Sequence, residues 1–486
     1  MSILSKKIEH IVVLMLENRS FDCMLGQLYP KSKDFNGLSG KETNPLQGQP
    51  DVKVWSSDDS NPQSMCIPKP DPGEEWDDMN MQLFGLNTPP STQPPKMNGF
   101  VNNYMQQTGR PADEYDPKAI MHYYTPKQLP ALSQLAKQYA VSDQWFASAP
   151  CQTWPNRFFV HTATANGYVN NSPYHYLYEM NTIFNALTEV NQSWRIYFGD
   201  FPQSAVLSKL WPYYKNFDLI ERFQDDAKNG TLPAYTFIEP RYFPAKKLAT
   251  AQHPPHHIRA GDQFVAEIYN AIRTSPLWEK TLLIITFDEH GGCYDHVPPP
   301  LAVPPSDTVT TPFNFDRYGV RVPAVLVSPY IKEGTILRVV DNDVVPHNGP
   351  PYPFDHTSII ATIRKCFKIK NPLTNRDAVA PDLEKVLNLS APKNNGPLIS
   401  LPDFEYTEND LKIARQKPLD ALQQTLFDAA AYLLSLGQTS DPDSVTKAIK
   451  AHSKSLREHP PAHTAEDAIP FIKSKLKDFL GKEIDF

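Results

Sequence analysis

Short apolar runs recur along most of the chain, separated by longer segments of mixed polarity. Five of them are apolar throughout and rich in β-branched and aromatic residues: 11–16, 194–198, 234–238, 282–287 and 323–328. Runs without polar alternation are typical of strands that a parallel sheet buries on both faces. We therefore expect these five runs to be strands of one covered sheet.

Between these runs lie segments with the period of an amphipathic helix. Residues 129–140, 261–275 and 356–367 carry apolar side chains at spacings of three and four. The alternation of strands and helices predicts an α/β fold with a doubly wound, mostly parallel sheet flanked by helices.

Two regions depart from this alternation. Residues 40–117 are dense in Pro, Asp, Gly and Asn, which predicts an insertion or cap that folds over the edge of the sheet. From residue 401 onward the chain is polar and has a helical pattern, clearest at 419–436. We therefore predict a catalytic domain over 1–400, with a cap-like insertion at about 40–117, and a helical C-terminal region over 401–486.

The last predicted helix, 464–480, has a capping Thr464 and one apolar face that includes Ile472 and Phe479. Lysines line much of its remaining surface. The apolar face would pack on the protein's own core or on a partner subunit in an oligomer. The alternative is a helix that makes peripheral membrane contact, because lysines opposite apolar residues suit an anionic lipid surface.

Composition narrows the class of protein. The 486 residues carry a formal net charge of −7, which argues against a nucleic-acid partner. No apolar run is long enough to span a bilayer, and no signal peptide is evident at the N-terminus. We expect a cytoplasmic protein, with secretion without a signal as the alternative.

The five cysteines are scattered and odd in number, without a C-x-x-C pair. This spacing fits neither a disulfide framework nor a structural zinc site, so we expect free thiols.

Polar side chains follow two of the predicted strands at the point where each strand ends. Asp288 and Glu289 come directly after run 282–287, and Glu17 and Asn18 come directly after run 11–16. In doubly wound sheets, ligands bind at the carboxyl ends of the strands. Burial of unpaired carboxylates is costly, and a divalent cation would neutralise them. The alternatives are a surface turn with solvated acids and, after the first strand, a cap for the next helix.

A third stretch, 148–165, combines Thr153 with a proline that suits the first turn of a helix. With the helix predicted to begin near Asn156, Thr153 would lie just before its N-terminus, where backbone amides favour phosphate. A metal-coordinated Thr153 hydroxyl could act as a nucleophile there. The alternative is that Thr153 only caps the helix.

Four segments occur in order along the chain: ENRSFD (17–22), TWPNR (153–157), DEHGGCYDHV (288–297) and FDHTSI (354–359). Together they resemble the phosphoesterase family that includes the non-specific phospholipases C of bacteria and plants and related acid phosphatases. The resemblance implies an alkaline-phosphatase-like α/β core.

The resemblance also implies roles for individual residues. Glu17, Asn18, Asp288 and Glu289, together with Thr153, would bind one or more divalent metal ions, with calcium, magnesium, manganese and zinc all open. Thr153 would be the nucleophile. A catalytic histidine of the family falls on His253, with His256 and His257 as alternatives, and it would protonate the leaving alcohol or help water to release the phosphothreonine.

Further residues have expected roles in the same site. His290 occurs in phospholipase-like relatives and is a further catalytic candidate. Asn156 and Arg157 are candidates for binding the substrate phosphate, and Arg19 is a candidate for meeting an anionic substrate or a carboxylate. His296 and His356 would brace the loops.

We therefore expect a metal-dependent hydrolase of phosphoric esters. The favoured activity is that of a phospholipase C, which cleaves phospholipids to diacylglycerol and a phosphorylated head group. The close alternative is an acid phosphatase that acts on phosphomonoesters with the same site. A remote alternative is an inactive phospholipid-binding protein.

Overall fold

The computed structural model describes residues 2–57, 61–85, 94–108, 111–172, 178–339, 352–401, 406–434 and 461–486. Ten strands lie within these ranges: β1 (His10–Leu16), β2 (Thr43–Leu46), β3 (Gln49–Lys53), β4 (Ala140–Ser142), β5 (Trp194–Phe198), β6 (Phe217–Leu219), β7 (Tyr235–Glu239), β8 (Thr281–Phe287), β9 (Ala324–Val327) and β10 (Thr335–Ile336).

Eight of the described strands form one central sheet in the order β10-β4-β9-β8-β1-β7-β5-β6. All neighbours are parallel except those of β9, which runs antiparallel to β4 and to β8. The predicted α/β sheet is confirmed, and the five predicted runs match β1, β5, β7, β8 and β9 to within one residue at each end. The pattern missed β4, β6 and β10, because two or three residues are too few to establish a period.

Helices cover both faces of the sheet: α1 (Leu4–Lys7), α2 (Phe21–Leu25), α3 (Trp76–Phe84), α4 (Phe100–Met105), α5 (Pro130–Gln138), α6 (Thr153–Thr162), α7 (Ile183–Glu189), α8 (Ile220–Asn229), α9 (Ile258–Arg273), α10 (His356–Phe367), α11 (Asn375–Val379), α12 (Glu408–Arg415), α13 (Ala421–Ala430) and α14 (Ala465–Leu480). The three predicted helices correspond to α5, α9 and α10. Among the described helices, none is both long and apolar enough to cross a membrane.

The register of the two central strands determines where the polar strand ends lie. Leu16 of β1 is level with Phe287 of β8, and the Asp288 backbone N–H donates a hydrogen bond to the Leu16 carbonyl at 3.2 Å. Parallel pairing with this register brings residues 17–18 and 288–289 to the same edge of the sheet.

The insertion at 40–117 is more regular than its proline content indicates. Its described part contains the β2–β3 hairpin, α3 and α4, and it has a hydrophobic cluster of its own. Phe100 of this cluster packs edge-on against Tyr294, with ring centroids 5.3 Å apart. The insertion therefore contacts the loop that follows β8, and we refer to it below as the cap.

The C-terminal helix α14 packs on the rest of this chain. The Thr464 hydroxyl accepts a hydrogen bond from the Asp467 backbone N–H at 3.3 Å, which confirms Thr464 as the N-cap residue of this helix. Ile472, Leu476 and Phe479 are fully buried in the main core. The apolar face thus supports the interpretation as core packing, and it is not available to a lipid surface.

All five cysteines are free thiols, as predicted.

Replacement of Phe479 tests the attachment of α14. Its ring lies 6.1 Å from that of Trp211 and 6.0 Å from that of Phe217. We expect Phe479→Ala to lower the free energy of unfolding by about 3–5 kcal/mol, because it leaves a cavity in the core. Urea unfolding measures this loss, and Ser474→Ala on the exposed side of α14 should change it by less than about 0.5 kcal/mol. Equal stability of the two variants would show that α14 is not docked as described.

Candidate active site

The two polar strand ends meet, as the sequence predicts. The Asn18 backbone N–H donates to Asp288 Oδ1 at 2.9 Å, and the Glu289 N–H donates to the same oxygen at 2.8 Å. Glu17, Asn18, Asp288 and Glu289 are all fully buried. These four side chains therefore lie in one enclosed pocket at the carboxyl edge of the sheet.

Unusual backbone conformations permit this close approach. Asn18 has a φ of 55°, in the left-handed region, and Gly291 has a φ of 57°. A side chain at Gly291 would collide with the Asn18 backbone. Glycine is therefore required at this position, both for its φ and for the space.

Arg157 is the counter-ion of this pocket. Its guanidinium donates hydrogen bonds to a Glu17 carboxylate oxygen and to the Met15 carbonyl, and its Nε lies 3.8 Å from Asp288 Oδ2. Burial opposes the charge, but Glu17 together with Tyr242, Asp288 and Glu239 outweighs burial and raises the pKa of Arg157 above its usual value. Because the guanidinium is already engaged by carboxylates, its position favours charge compensation over the predicted contact with substrate phosphate.

Three of the buried carboxylates keep one oxygen without a hydrogen-bond partner: Glu17 Oε2, Asp288 Oδ2 and Glu289 Oε1. Burial raises the pKa of Glu17 and of Glu289 well above the usual value, and neighbouring carboxylates add to the effect. Arg157 alone does not balance this charge. The oxygen-rich set, with open ligand atoms in a buried pocket, fits a divalent cation.

A second acidic group lies nearby but is already compensated. Ligand atoms of Asp22, Asp295 and His296 lie within 4.8 Å of one another. Arg321 bonds both carboxylates at 3.0 Å, and His296 Nδ1 donates to Asp22 at 2.6 Å. This network ties the loop after β1 to the loop after β8, which supports the predicted bracing role of His296.

Thr153 faces this pocket. It is the first residue of α6, so the helix begins three residues earlier than predicted, and Gln152 rather than Thr153 occupies the capping position. The buried Thr153 hydroxyl donates to Asn18 Oδ1 at 3.3 Å. The candidate nucleophile therefore contacts a candidate metal ligand directly.

Asn156 has a different position from the one expected of a phosphate ligand. Its side-chain NH2 group donates to the carbonyls of Ala149, Cys151 and Gln152 at 3.1, 2.7 and 3.3 Å. Its Oδ1 accepts from the Ala149 N–H at 3.1 Å. The amide is thus committed to the loop before α6, where it determines the position of Thr153.

Of the three candidate histidines, His253 is the one that lies beside Glu74, whose carboxylate binds the side chain of Asn18. Its Nδ1 donates to the Pro254 carbonyl at 2.5 Å, and its Nε2 has no hydrogen-bond partner and lies 3.6 Å from Glu74 Oε2. Burial lowers the pKa of His253, but Asp71 and other nearby carboxylates outweigh this and raise it well above the usual value.

The other two histidines have contacts with residues that are not candidate metal ligands. His256 Nε2 pairs with Asp420 at 3.0 Å, and His257 accepts a hydrogen bond from the Arg259 N–H at the start of α9.

His290 lies beneath the cap rather than toward Thr153. Its Nε2 donates to Gln82 Oε1 of α3 at 2.7 Å, and burial lowers its pKa to about 3. A neutral imidazole that already binds the cap fits a bracing role better than the predicted catalytic one. His356 also acts as a brace, because its Nε2 donates to the Asp288 carbonyl at 2.6 Å.

Sequence reasoning missed several residues that complete the pocket. Glu74 accepts a hydrogen bond from the Asn18 side chain, and Gln203 donates to Glu17 at 2.7 Å. Arg19, expected to meet an anion, instead donates to the Gln252 and Ile67 carbonyls at 2.7 and 2.6 Å. For Glu74, the signal in the sequence was the density of acidic residues at 71–75, which the proline-rich composition of the insertion obscured.

Asn156→Ala tests the interpretation of Asn156 as a loop brace. The change removes the side-chain hydrogen bonds to three carbonyls and one N–H, so we expect it to lower the free energy of unfolding by about 1–3 kcal/mol. Chemical denaturation measures this effect in protein without substrate. A variant that unfolds like the parent would contradict the bracing role and favour the phosphate contact.

Comparison with known proteins identifies the family that the motifs resemble. The model of the phosphoesterase family matches residues 8–370. Non-specific phospholipase C1 of Arabidopsis thaliana is 37% identical over 442 residues, which cover 88% of this chain and 80% of that protein. Phospholipase C B of Mycobacterium tuberculosis (strain ATCC 25618 / H37Rv) is 27% identical over 453 residues, which cover 80% of this chain and 79% of that protein.

Solved structures with similarity to this chain include the lipoteichoic acid synthase LtaP from Listeria monocytogenes. It is 13% identical, with a TM-score of 0.35, over 68% of this chain and 88% of that one. The match of the family model over most of the chain and the identity to the plant relatives are sufficient by themselves: the chain belongs to the phosphoesterase family and is a phosphoric ester hydrolase.

Proposed function

We propose that this protein is a metal-dependent phospholipase C that works through a phosphothreonine at Thr153. The observation that carries the proposal is the contact of the Thr153 hydroxyl with Asn18, inside a buried pocket whose carboxylates keep open oxygens. The names of the plant and bacterial relatives support phospholipids as the substrate class.

Glu17, Asn18, Asp288, Glu289 and Thr153 would hold the cation. A bound divalent ion would lower the pKa of the Thr153 hydroxyl and neutralise charge on the phosphoryl group. Calcium, magnesium, manganese and zinc are all compatible with this ligand set.

The residues of the chain supply the rest of the chemistry. Thr153 Oγ1, after loss of its proton to solvent, attacks phosphorus in line, and the bond from phosphorus to the diacylglycerol oxygen breaks. His253 Nε2 gives a proton to that leaving oxygen. A water then attacks the phosphothreonine and gives a proton to His253, and the bond from phosphorus to Oγ1 breaks. The phosphorylated head group leaves, and the Thr153 oxygen is protonated again.

The backbone at the start of α6 would stabilise the substrate phosphate. The first amides of a helix have no intrahelical partner and point toward an anion at its N-terminus. Since Thr153 is the first residue of α6, its phosphorylated side chain would lie at this end of the helix.

Replacement of Thr153 tests the nucleophile. With phosphatidylcholine micelles as substrate, we expect Thr153→Ala to lower kcat by about 10³-fold or more, because the attacking oxygen is removed. Thr153→Ser should retain measurable turnover, and the exposed Thr274→Ala should resemble the parent protein. Release of diacylglycerol and phosphocholine is followed by mass spectrometry.

The same assay separates the two activities. Near-normal turnover by Thr153→Ala would exclude the phosphothreonine mechanism. Hydrolysis of p-nitrophenyl phosphate with none of phosphatidylcholine would favour the acid phosphatase, which uses the same residues.

Metal content tests whether the two strand ends share one ion. We expect Glu17→Gln and Asp288→Asn each to reduce the bound metal by at least about tenfold after dialysis, because each removes an anionic ligand from the same buried site. Elemental analysis measures the metal, and Glu279→Gln on the surface serves as the control. Full metal occupancy in either variant would show that its side chain is not a ligand.

A further inference from the structure

The cap places the acidic residue Glu74 in the active site. Pro72 and Gly73 lie directly over the loop after β8, because a Cβ added to Gly292 would meet the Pro72 side chain at 2.7 Å and the Gly73 carbonyl at 2.8 Å. Glu74, the next residue, has only 5% of its surface exposed, whereas Glu75 and Asp77 are exposed. The cap therefore buries Glu74 and leaves the next two acids, Glu75 and Asp77, in solvent.

Glu74 has the same hydrogen-bonding pattern as the candidate metal ligands, with one carboxylate oxygen bonded and the other without a partner. Its Oε2 accepts a hydrogen bond from the Asn18 side chain and lies 3.6 Å from His253 Nε2. Its Oε1 is buried without a hydrogen-bond partner, like one oxygen each of Glu17, Asp288 and Glu289. A buried carboxylate with one bound and one open oxygen is what a cation ligand shows before the ion binds.

The charge of Glu74 needs a partner that the described residues do not supply in full. Arg157 contacts Glu17, Asp288 and Glu239 but not Glu74. Among the charges that act on Glu289, Glu74 is the leading one that raises its pKa, after burial itself. His253 and Asn18 face Oε2 of Glu74, but its buried Oε1 has no partner. Because a buried carboxylate is unfavourable unless both oxygens are compensated, an additional cation beside Oε1 would stabilise the closed cap.

We propose that Glu74 is a further ligand of the divalent cation, supplied by the cap, so that cation binding fastens the cap onto the edge of the sheet. The inference rests on the metal centre of the proposed function and adds a residue to it from a separate part of the chain. It makes the cation a structural link between the cap and the two strand ends, in addition to its chemical role.

Glu74→Gln isolates the ligand role. Glutamine has the shape of glutamate and keeps an oxygen that can accept from Asn18, so the variant preserves that hydrogen bond and removes the negative charge. Glu74→His removes the charge too but restores a nitrogen that can bind a metal. Asp77→Asn is the matched control, because it replaces an exposed acid of the same segment by its amide.

The first experiment measures metal binding without reference to activity. The full-length protein is stripped with a chelator and dialysed against Ca²⁺, Mg²⁺, Mn²⁺ or Zn²⁺, and the ion that binds most tightly is titrated. We expect Glu74→Gln to raise the Kd by at least tenfold, Glu74→His to bind more tightly than Glu74→Gln, and Asp77→Asn to remain within twofold of the parent. Melting temperatures of the metal-free proteins show that each variant is folded.

The second experiment measures the link between the ion and the cap. Trypsin can cut at the exposed Lys53 and Lys96 within the insertion. We expect the bound ion to slow these cuts at least fivefold in the parent and in Asp77→Asn, and to give no protection in Glu74→Gln.

The outcomes separate this inference from the proposed function. If Glu74→Gln binds the ion and protects the cap like the parent while Asp288→Asn does not, Glu74 is not a ligand and the metal centre stands. If both variants keep full affinity, the metal centre itself is wrong. If Glu74→His binds no better than Glu74→Gln, the effect lies in packing and the ligand role is overturned.

Discussion

Buried negative charge at the carboxyl ends of β1 and β8 is the constraint on which the rest of the site depends. The parallel register of these strands brings Glu17 level with Asp288, where both are removed from water. Carboxylates in such a place are unfavourable unless cations and hydrogen-bond donors face them. Arg157, Gln203 and the backbone amides of Asn18 and Glu289 supply part of this compensation.

The same constraint explains why elements far apart in sequence converge on one edge of the sheet. Helix α6 contributes Arg157 as the counter-ion, and its first residue, Thr153, then necessarily lies at the pocket. The loop before α9 contributes His253, and Arg19 holds this loop and the cap in place through their carbonyls. The counter-ion Arg157, the candidate nucleophile Thr153 and the candidate acid His253 are thus held at one edge of the sheet by a few buried contacts.

The cap and the C-terminal region complete the enclosure. The cap lies over the loop after β8 through Pro72, Gln82 and Phe100, and it excludes water from the carboxylates. The C-terminal region reaches the same side of the molecule, where Asp420 pairs with His256. A pocket closed in this way strengthens the electrostatic interactions inside it, because the local dielectric constant is low.

The sequence by itself determined the five longer strands of the central sheet and the pairs of acids at its edge. Run 282–287 is almost entirely apolar, and the abrupt change to Asp288 and Glu289 indicates a strand end from the local sequence alone. The helices α5, α9 and α10 follow from their period in the same way. Local patterns of this kind predict strands and helices correctly, because the burial of each element depends on its own apolar residues.

Tertiary structure alone decided which polar groups share the pocket and what each one does there. Glu74 lies in a segment without a period, and its proximity to Asn18 depends on how the cap docks. Asn156 and His290 stand in the predicted motifs, yet the first holds its own loop and the second binds Gln82. Hydrogen bonds between residues far apart in sequence require the folded geometry, because no local pattern encodes which donor will face which acceptor.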